Sequence, residues 1–159
     1  MTIHEQLATA FGIGRTPYTP GTAASLVAVI VAVPIMYFLG WLAILALALA
    51  ATAVGVWVSE VYALDIGKYD PQECVIDEFA GQWLTLALAG LGAYLEGEPV
   101  GLVGYLLAFL LFRLFDIAKP WPISKAESLK GGLGIMADDV AAGIVAGVVV
   151  FLFTQSGFL

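Results

Sequence analysis

The chain has 159 residues, of which 61% are hydrophobic and only 12% are charged, with a mean hydropathy of +0.97. Soluble domains carry about 25% charged residues. A chain of this composition has more apolar surface than its own core can bury, so lipid must cover the rest. The single cysteine excludes an internal disulfide, and the lack of a basic stripe argues against nucleic acid as a partner. We expect an all-α integral membrane protein with one domain over residues 1–159.

The predicted elements begin with a short interfacial helix within residues 4–11, followed by a turn-rich loop at 12–21. Thr22 is placed to cap the helix that follows. No charged residue occurs from 22 to 59, which is too long for one span at about 20 residues per crossing. Gly40-Trp41 predicts a hairpin in the middle. The prediction is a compact bundle of about five transmembrane helices, at 22–39, 41–60, 75–95, 100–117 and 137–156. Four spans with a re-entrant or interfacial segment are the alternative.

The distribution of basic residues predicts the orientation. With five spans and a cytoplasmic N-terminus, all six basic residues lie on the cytoplasmic side, as the positive-inside rule requires. These residues are Arg15, Lys68, Arg113, Lys119, Lys125 and Lys130.

Carboxylates gather at the same ends of the predicted helices. Asp77 and Glu78 begin the third span, Asp116 ends the fourth, and Asp138 and Asp139 follow a glycine-rich segment, interpreted as a loop, before the fifth. Acids at helix starts can simply be stabilised by the helix dipole, at about 0.3–1 kcal/mol each. Five of them at one level would repel one another without a cation, and all-oxygen ligands suit Mg²⁺. We therefore predict these five residues as metal-binding and catalytic.

Other residues at this level suit a phosphate group. Arg113 and Lys119 supply positive charge for phosphate oxygens. The remaining predicted substrate-binding residues allow close backbone approach or could close the site from the first span. They are Gly21, Thr22, Gly132 and Gly134. Together with a metal, this inventory favours phosphoryl chemistry on a phosphorylated lipid at the membrane surface.

Four blocks of sequence, in order, resemble the phosphatidylglycerophosphatase A family. They are residues 12–14 with 20–22, 75–81, 112–123 and 131–143. The resemblance implies a Mg²⁺-dependent enzyme of the bacterial inner membrane that faces the cytoplasm. It would act in glycerophospholipid biosynthesis, removing the terminal phosphate of phosphatidylglycerophosphate to leave phosphatidylglycerol.

Two other functions are alternatives to a lipid phosphatase. A small membrane cation transporter should carry acids near mid-membrane, and the middles of the predicted spans are uncharged. A phosphotransferase that uses CDP-activated alcohols should show an Asp-Gly-x-x-Ala-Arg signature, which is absent. The sequence leaves open how many metal ions bind, which acids ligate them and which acid acts as the base. It does not distinguish direct attack by water from an aspartyl-phosphate intermediate. Selectivity among lipid monophosphates and the oligomeric state also stay open.

Overall fold

The computed structural model describes residues 1–126 and 128–158, and within these residues every regular element is a helix. A short 3₁₀ helix, Ile13–Arg15, follows the first α-helix. The α-helices are α1 (Ile3–Ala8), α2 (Pro20–Leu39), α3 (Trp41–Ile66), α4 (Ile76–Glu96), α5 (Leu102–Ala118), α6 (Ile123–Ala126) and α7 (Gly131–Gln155). The predicted all-α fold is confirmed for this part of the chain.

The first helical hairpin forms where it was predicted, but its first helix is not capped at the predicted residue. Gly40 has a φ of 79° and separates α2 from α3. The prediction that Thr22 caps this helix was wrong, since α2 begins at Pro20 with Thr19 at the N-cap position. Proline is favoured in the first turn because its missing N–H would have no partner there.

The glycine-rich segment before the acids is helical, contrary to the predicted loop. α7 begins at Gly131 rather than near 137. A side chain at Gly132 would overlap the carbonyl of Val56 on α3, so these glycines serve close helix packing. Asp138 and Asp139 consequently lie about 10–12 Å inside α7, at 1.5 Å per residue. They are too deep for the first-turn dipole stabilisation that the sequence suggested.

Helix α4 is the centre of the bundle and packs against α2, α3, α5 and α7, most extensively against α7. The two helices cross where Gly143 meets the carbonyl of Gly81. The Thr85 hydroxyl lies 3.0 Å from the carbonyl oxygens of both glycines. Small residues at such a contact let helix backbones approach closely. The crossing sets the first turn of α4 beside the acidic turn of α7.

Within residues 1–126 and 128–158, three helices are long and apolar enough to cross a membrane: α2, α3 and α7. Helix α4 carries two acids in its first turn, and α5 has only 17 residues. Length and composition therefore support three of the five predicted spans. Much of the outer surface is apolar, and on α5 exposed leucines recur every four residues at Leu102, Leu106, Leu110 and Leu114.

The N-terminal segment anchors the loop that precedes α4. The Val75 N–H donates to the Ala8 carbonyl over 2.8 Å, and His4 Nε2 lies 2.6 Å from Asp65 Oδ2 near the end of α3. These contacts hold the 67–75 loop against the bundle and fix where α4 begins.

Candidate active site

A cavity of about 530 Å³ opens at the end of the bundle where α2, α4 and α7 begin and α5 ends. Its lining comes from 19–22, 70–72 and 74, the first turn of α4, residues 113–119 at the end of α5, and α7 around 135–139. The antiparallel helices thus bring together segments that are far apart in sequence. Of the predicted site residues, the cavity is lined by Asp77, Glu78, Asp116, Asp138, Asp139, Arg113, Lys119, Gly21 and Thr22.

Three of the five acids form a tight cluster. Asp77, Glu78 and Asp139 each place one carboxylate oxygen within 4.8 Å of the others. Asp77 and Asp139 are only 9% and 4% exposed. Among the described residues, Glu78 Oε2 and Asp139 Oδ2 are buried without a hydrogen-bond partner. Buried carboxylates without compensation are strongly unfavourable, and three converging oxygen donors fit a hard divalent cation.

The other two acids are paired with basic side chains. Asp116 forms an ion pair with Arg113 one turn earlier on α5. Lys119 Nζ lies 2.7 Å from Asp138 Oδ2 and so connects the end of α5 to α7. The structure therefore divides five acids that the sequence treated alike. Three form a cluster that makes no ion pair with another described residue, and two are ion-paired.

Gly21 is the contact point between α2 and this charged group. A Cβ at Gly21 would overlap Glu78 Oε1 and lie 3.3 Å from Arg113 Nη1. The absence of a side chain therefore leaves room for the acid and the guanidinium beside the α2 backbone.

Two predicted substrate-binding glycines lie outside the cavity lining. Gly132 packs on Val56 of α3, and Gly134 packs on the Leu129 carbonyl. Their positions support a packing role in the first turns of α7 and give no support to phosphate contact.

The structure adds residues that the sequence reading did not place in the site. Asp70, in the loop between α3 and α4, lines the cavity. Gln82 is fully buried on α4, one turn after Glu78. Its signal was a polar side chain inside an apolar span, which usually has a functional reason.

Glu73, in the same loop, has a separate role. Its carboxylate lies 3.1 Å from Lys68 Nζ. A hydrogen bond from its own backbone N–H, together with Lys68, lowers the pKa of Glu73. This exposed pair connects the two ends of the loop beside the cavity.

Fold and cavity define a helical protein with a largely apolar outer surface that presents carboxylates and basic side chains together at one end. The chain belongs to the phosphatidylglycerophosphatase A family, whose family model matches residues 6–154.

Curated relatives agree with this assignment. The chain is 36% identical over 151 residues to the phosphatidylglycerophosphatase A of Escherichia coli K12, covering 92% of this chain and 81% of that protein. It is 37% identical over 146 residues to the phosphatidylglycerophosphatase A of Haemophilus influenzae Rd, covering 91% and 85%. It is also 36% identical over 142 residues to a Bacteroides thetaiotaomicron protein named putative phosphatidylinositol-3-phosphatase, covering 87% and 85%. No solved structure matches the chain. The relatives confirm the predicted enzyme class: the chain is a phosphatase.

Proposed function

We propose that the chain hydrolyses phosphatidylglycerophosphate to phosphatidylglycerol and phosphate in a Mg²⁺-dependent reaction of glycerophospholipid biosynthesis. The observation that carries this proposal is one cavity holding an uncompensated acidic cluster and two basic side chains. The names of the Escherichia and Haemophilus relatives support the choice of substrate.

The acidic cluster would hold the cation. Asp77, Glu78 and Asp139 supply oxygen ligands, and Mg²⁺ prefers such ligands while keeping positions for substrate oxygens. A bound Mg²⁺ would supply Lewis-acid polarisation of the phosphoryl group. Glu78 and Asp139 each have a buried oxygen without a partner in the part of the chain that the structure describes, which favours a cation over a purely structural role.

The basic residues would bind the phosphate. Lys119 and Arg113 line the cavity, and their charges would orient the ester and stabilise negative charge as the bond from phosphorus to the glycerol oxygen breaks. Direct attack by water and attack by an aspartate followed by hydrolysis both use this arrangement. In either case the leaving oxygen gains a proton, and the water supplies the oxygen of the released phosphate.

The cavity is open to a lipid. Ile117 lines it and is 70% exposed, and the neighbouring Leu114 is 56% exposed. The polar cavity is therefore continuous with the apolar outer face of α5. A phosphorylated headgroup can enter while its acyl chains stay against the bundle.

We extend this proposal to the membrane arrangement. The exposed leucine stripe on α5 and the central position of α4 favour five spans, with both helices crossing the bilayer. With five spans, the positive-inside rule supports a cavity on the cytoplasmic side of the bacterial inner membrane.

A phosphorylated phosphatidylinositol is the second candidate substrate, because one relative of similar identity is named for it. The test is phosphate release by the purified protein in detergent, with Mg²⁺ or with excess EDTA. The lipids compared are phosphatidylglycerophosphate, phosphatidylinositol 3-phosphate and phosphatidic acid.

We expect Mg²⁺-dependent release from phosphatidylglycerophosphate above the other two. Preference for the inositol lipid would reassign the substrate. No release from any lipid, by protein with a cooperative thermal transition, would contradict the proposal and favour the small cation transporter instead.

A further inference from the structure

Gln82 on α4 is a buried side chain that the packing of the chain does not explain. It is 0% exposed. Both its Oε1 and its Nε2 are buried without a hydrogen-bond partner among the residues that the structure describes. A glutamine amide offers two donors and an acceptor, and buried polar groups in folded proteins are nearly always paired. The amide therefore points to a role beyond packing.

The position of Gln82 relates it to the active site. It follows Glu78 by four residues on α4, so the two share one face of the helix. Long side chains on a helix lean toward its N-terminus and onto the preceding turn, and for Gln82 the preceding turn is the one that carries Glu78. Within the described residues, Glu78 Oε2 is also buried without a partner, and so is Nε of Arg113 on α5.

The chemistry of these groups is complementary. The amide can donate a hydrogen bond from Nε2 to a carboxylate oxygen, and its Oε1 can accept one from a guanidinium or a water molecule. Glu78 Oε1, the other oxygen of the same carboxylate, lies beside Gly21 at the cavity wall. Among the described residues the two side chains are not hydrogen-bonded to each other, and a bond to Oε2 formed when the cation binds would hold the carboxylate with its second oxygen facing the cavity.

We propose that Gln82 is a positioning residue that orients the Glu78 carboxylate for the divalent cation. This inference rests on the proposed function, because it assumes that Glu78 is a metal ligand. Gln82 itself touches neither substrate nor metal. Partners behind a metal ligand fix its orientation, and their loss typically lowers metal affinity or activity by about 10–100-fold.

The substitution Gln82→Leu separates this role from a structural one. Replacing a buried amide without partners by an apolar side chain of similar size should leave the fold as stable or make it more stable. A positioning role predicts that phosphate release by the Q82L variant nevertheless falls by about 10–100-fold. The Mg²⁺ concentration for half-maximal activity should rise.

The second readout does not depend on turnover. Mg²⁺ or Mn²⁺ added to the EDTA-treated protein should raise the thermal transition temperature of the wild type more than that of Q82L. Gln82→Met, which keeps the length of the side chain without its hydrogen bonds, should behave like Q82L and guards against a packing defect peculiar to leucine.

The matched control is Thr154→Val, which also removes a buried polar group. Thr154 is 8% exposed and its hydroxyl donates to the Val150 carbonyl near the opposite end of the bundle. This variant should keep wild-type turnover and a wild-type response to metal.

Wild-type turnover and metal response in both Q82L and Q82M would overturn the inference. Failure of the proposed function would give a different result in the phosphate-release assay. The wild type itself would then release no phosphate, while the metal-induced shift in the thermal transition would still compare Gln82 variants with the wild type.

Discussion

Lys119 Nζ lies 2.7 Å from Asp138 Oδ2 and joins the last turn of α5 to α7 across the mouth of the cavity. The lysine side chain is 28% exposed and the aspartate 11%, so the pair stands where the buried site meets the entrance. It places a positive charge at the point where a phosphate would approach the acidic cluster.

Lys119→Met should weaken catalysis more than it weakens the fold. Loss of a charged hydrogen bond to the phosphate corresponds to about 1.5–3 kcal/mol, or about 10–100-fold in kcat/KM. Steady-state phosphate release checks this, with Lys125→Met as the control, since Lys125 is not part of the cavity lining. Equal kinetics for the two variants would remove Lys119 from substrate binding.

Replacing a clustered acid and replacing an ion-paired acid by a neutral amide should affect metal-dependent turnover and stability differently. Asp139→Asn should lower metal-dependent turnover by more than about 100-fold, beyond the usual effect of losing an outer-shell partner. It should also raise stability without metal, because it removes the most deeply buried of three clustered carboxylates. Thermal unfolding in EDTA checks the second point, and a fall in stability there would contradict the assignment.

The variant Asp138→Asn tests an acid that is ion-paired and lies outside the cluster. Its carboxylate is paired with Lys119, so the variant should lose less of the metal-induced thermal stabilisation than Asp139→Asn does. A larger loss in Asp138→Asn would place the cation on the other side of the cavity.

Gly21→Ala should impair activity through crowding of Glu78. The added Cβ would overlap Glu78 Oε1 and displace the carboxylate, and misplacement of about 1 Å can lower a rate by about 100-fold. The matched control is Gly101→Ala at the start of α5, where a Cβ meets nothing within 4 Å and φ is −77°. Indistinguishable rates in the two variants would contradict the tight approach of α2 to the site.

The crossing of α4 and α7 predicts a stability effect. A Cβ at Gly143 would overlap the Gly81 carbonyl, so Gly143→Ala should separate the helices and destabilise the fold by about 1–3 kcal/mol. Activity should fall along with it, because this contact sets α4 beside Asp139. Thermal unfolding measures the loss, and wild-type stability would show that the helices can shift without strain.

Cys74 should be dispensable for catalysis although it lines the cavity. It lies in the loop before α4, and burial raises the pKa of its thiol, so the thiolate is not formed at neutral pH. Cys74→Ala should retain wild-type phosphate release, and N-ethylmaleimide should leave the wild type active. Loss of activity with alanine would indicate a thiol nucleophile.

Much of the architecture could be predicted from local sequence. The long apolar runs and the hairpin turn at Gly40 predicted α2 and α3, because both features can be recognised from residues that are adjacent in the sequence. The start of α7 could not be found this way. Gly131–Gly134 reads as a loop until Val56 of α3 is known to lie against it, and that contact is tertiary.

In the candidate site, too, the residues could be predicted from local sequence, but their contacts with other helices could not. The sequence selected the acids and the basic residues that line the cavity, since charges at the ends of apolar helices stand out. It could not separate Asp139 from its neighbour Asp138, because the distinction comes from Lys119 on another helix. It also passed over Gln82, whose missing partners become visible only in three dimensions.

The most direct measurement is Mg²⁺-dependent phosphate release from phosphatidylglycerophosphate by the wild type and Asp139→Asn, purified in parallel and stripped with EDTA. We predict that Mg²⁺ restores release by the wild type and leaves the folded variant inactive. Metal-independent release by the wild type, or full restoration in Asp139→Asn, would contradict a cation held by the Asp77, Glu78 and Asp139 cluster.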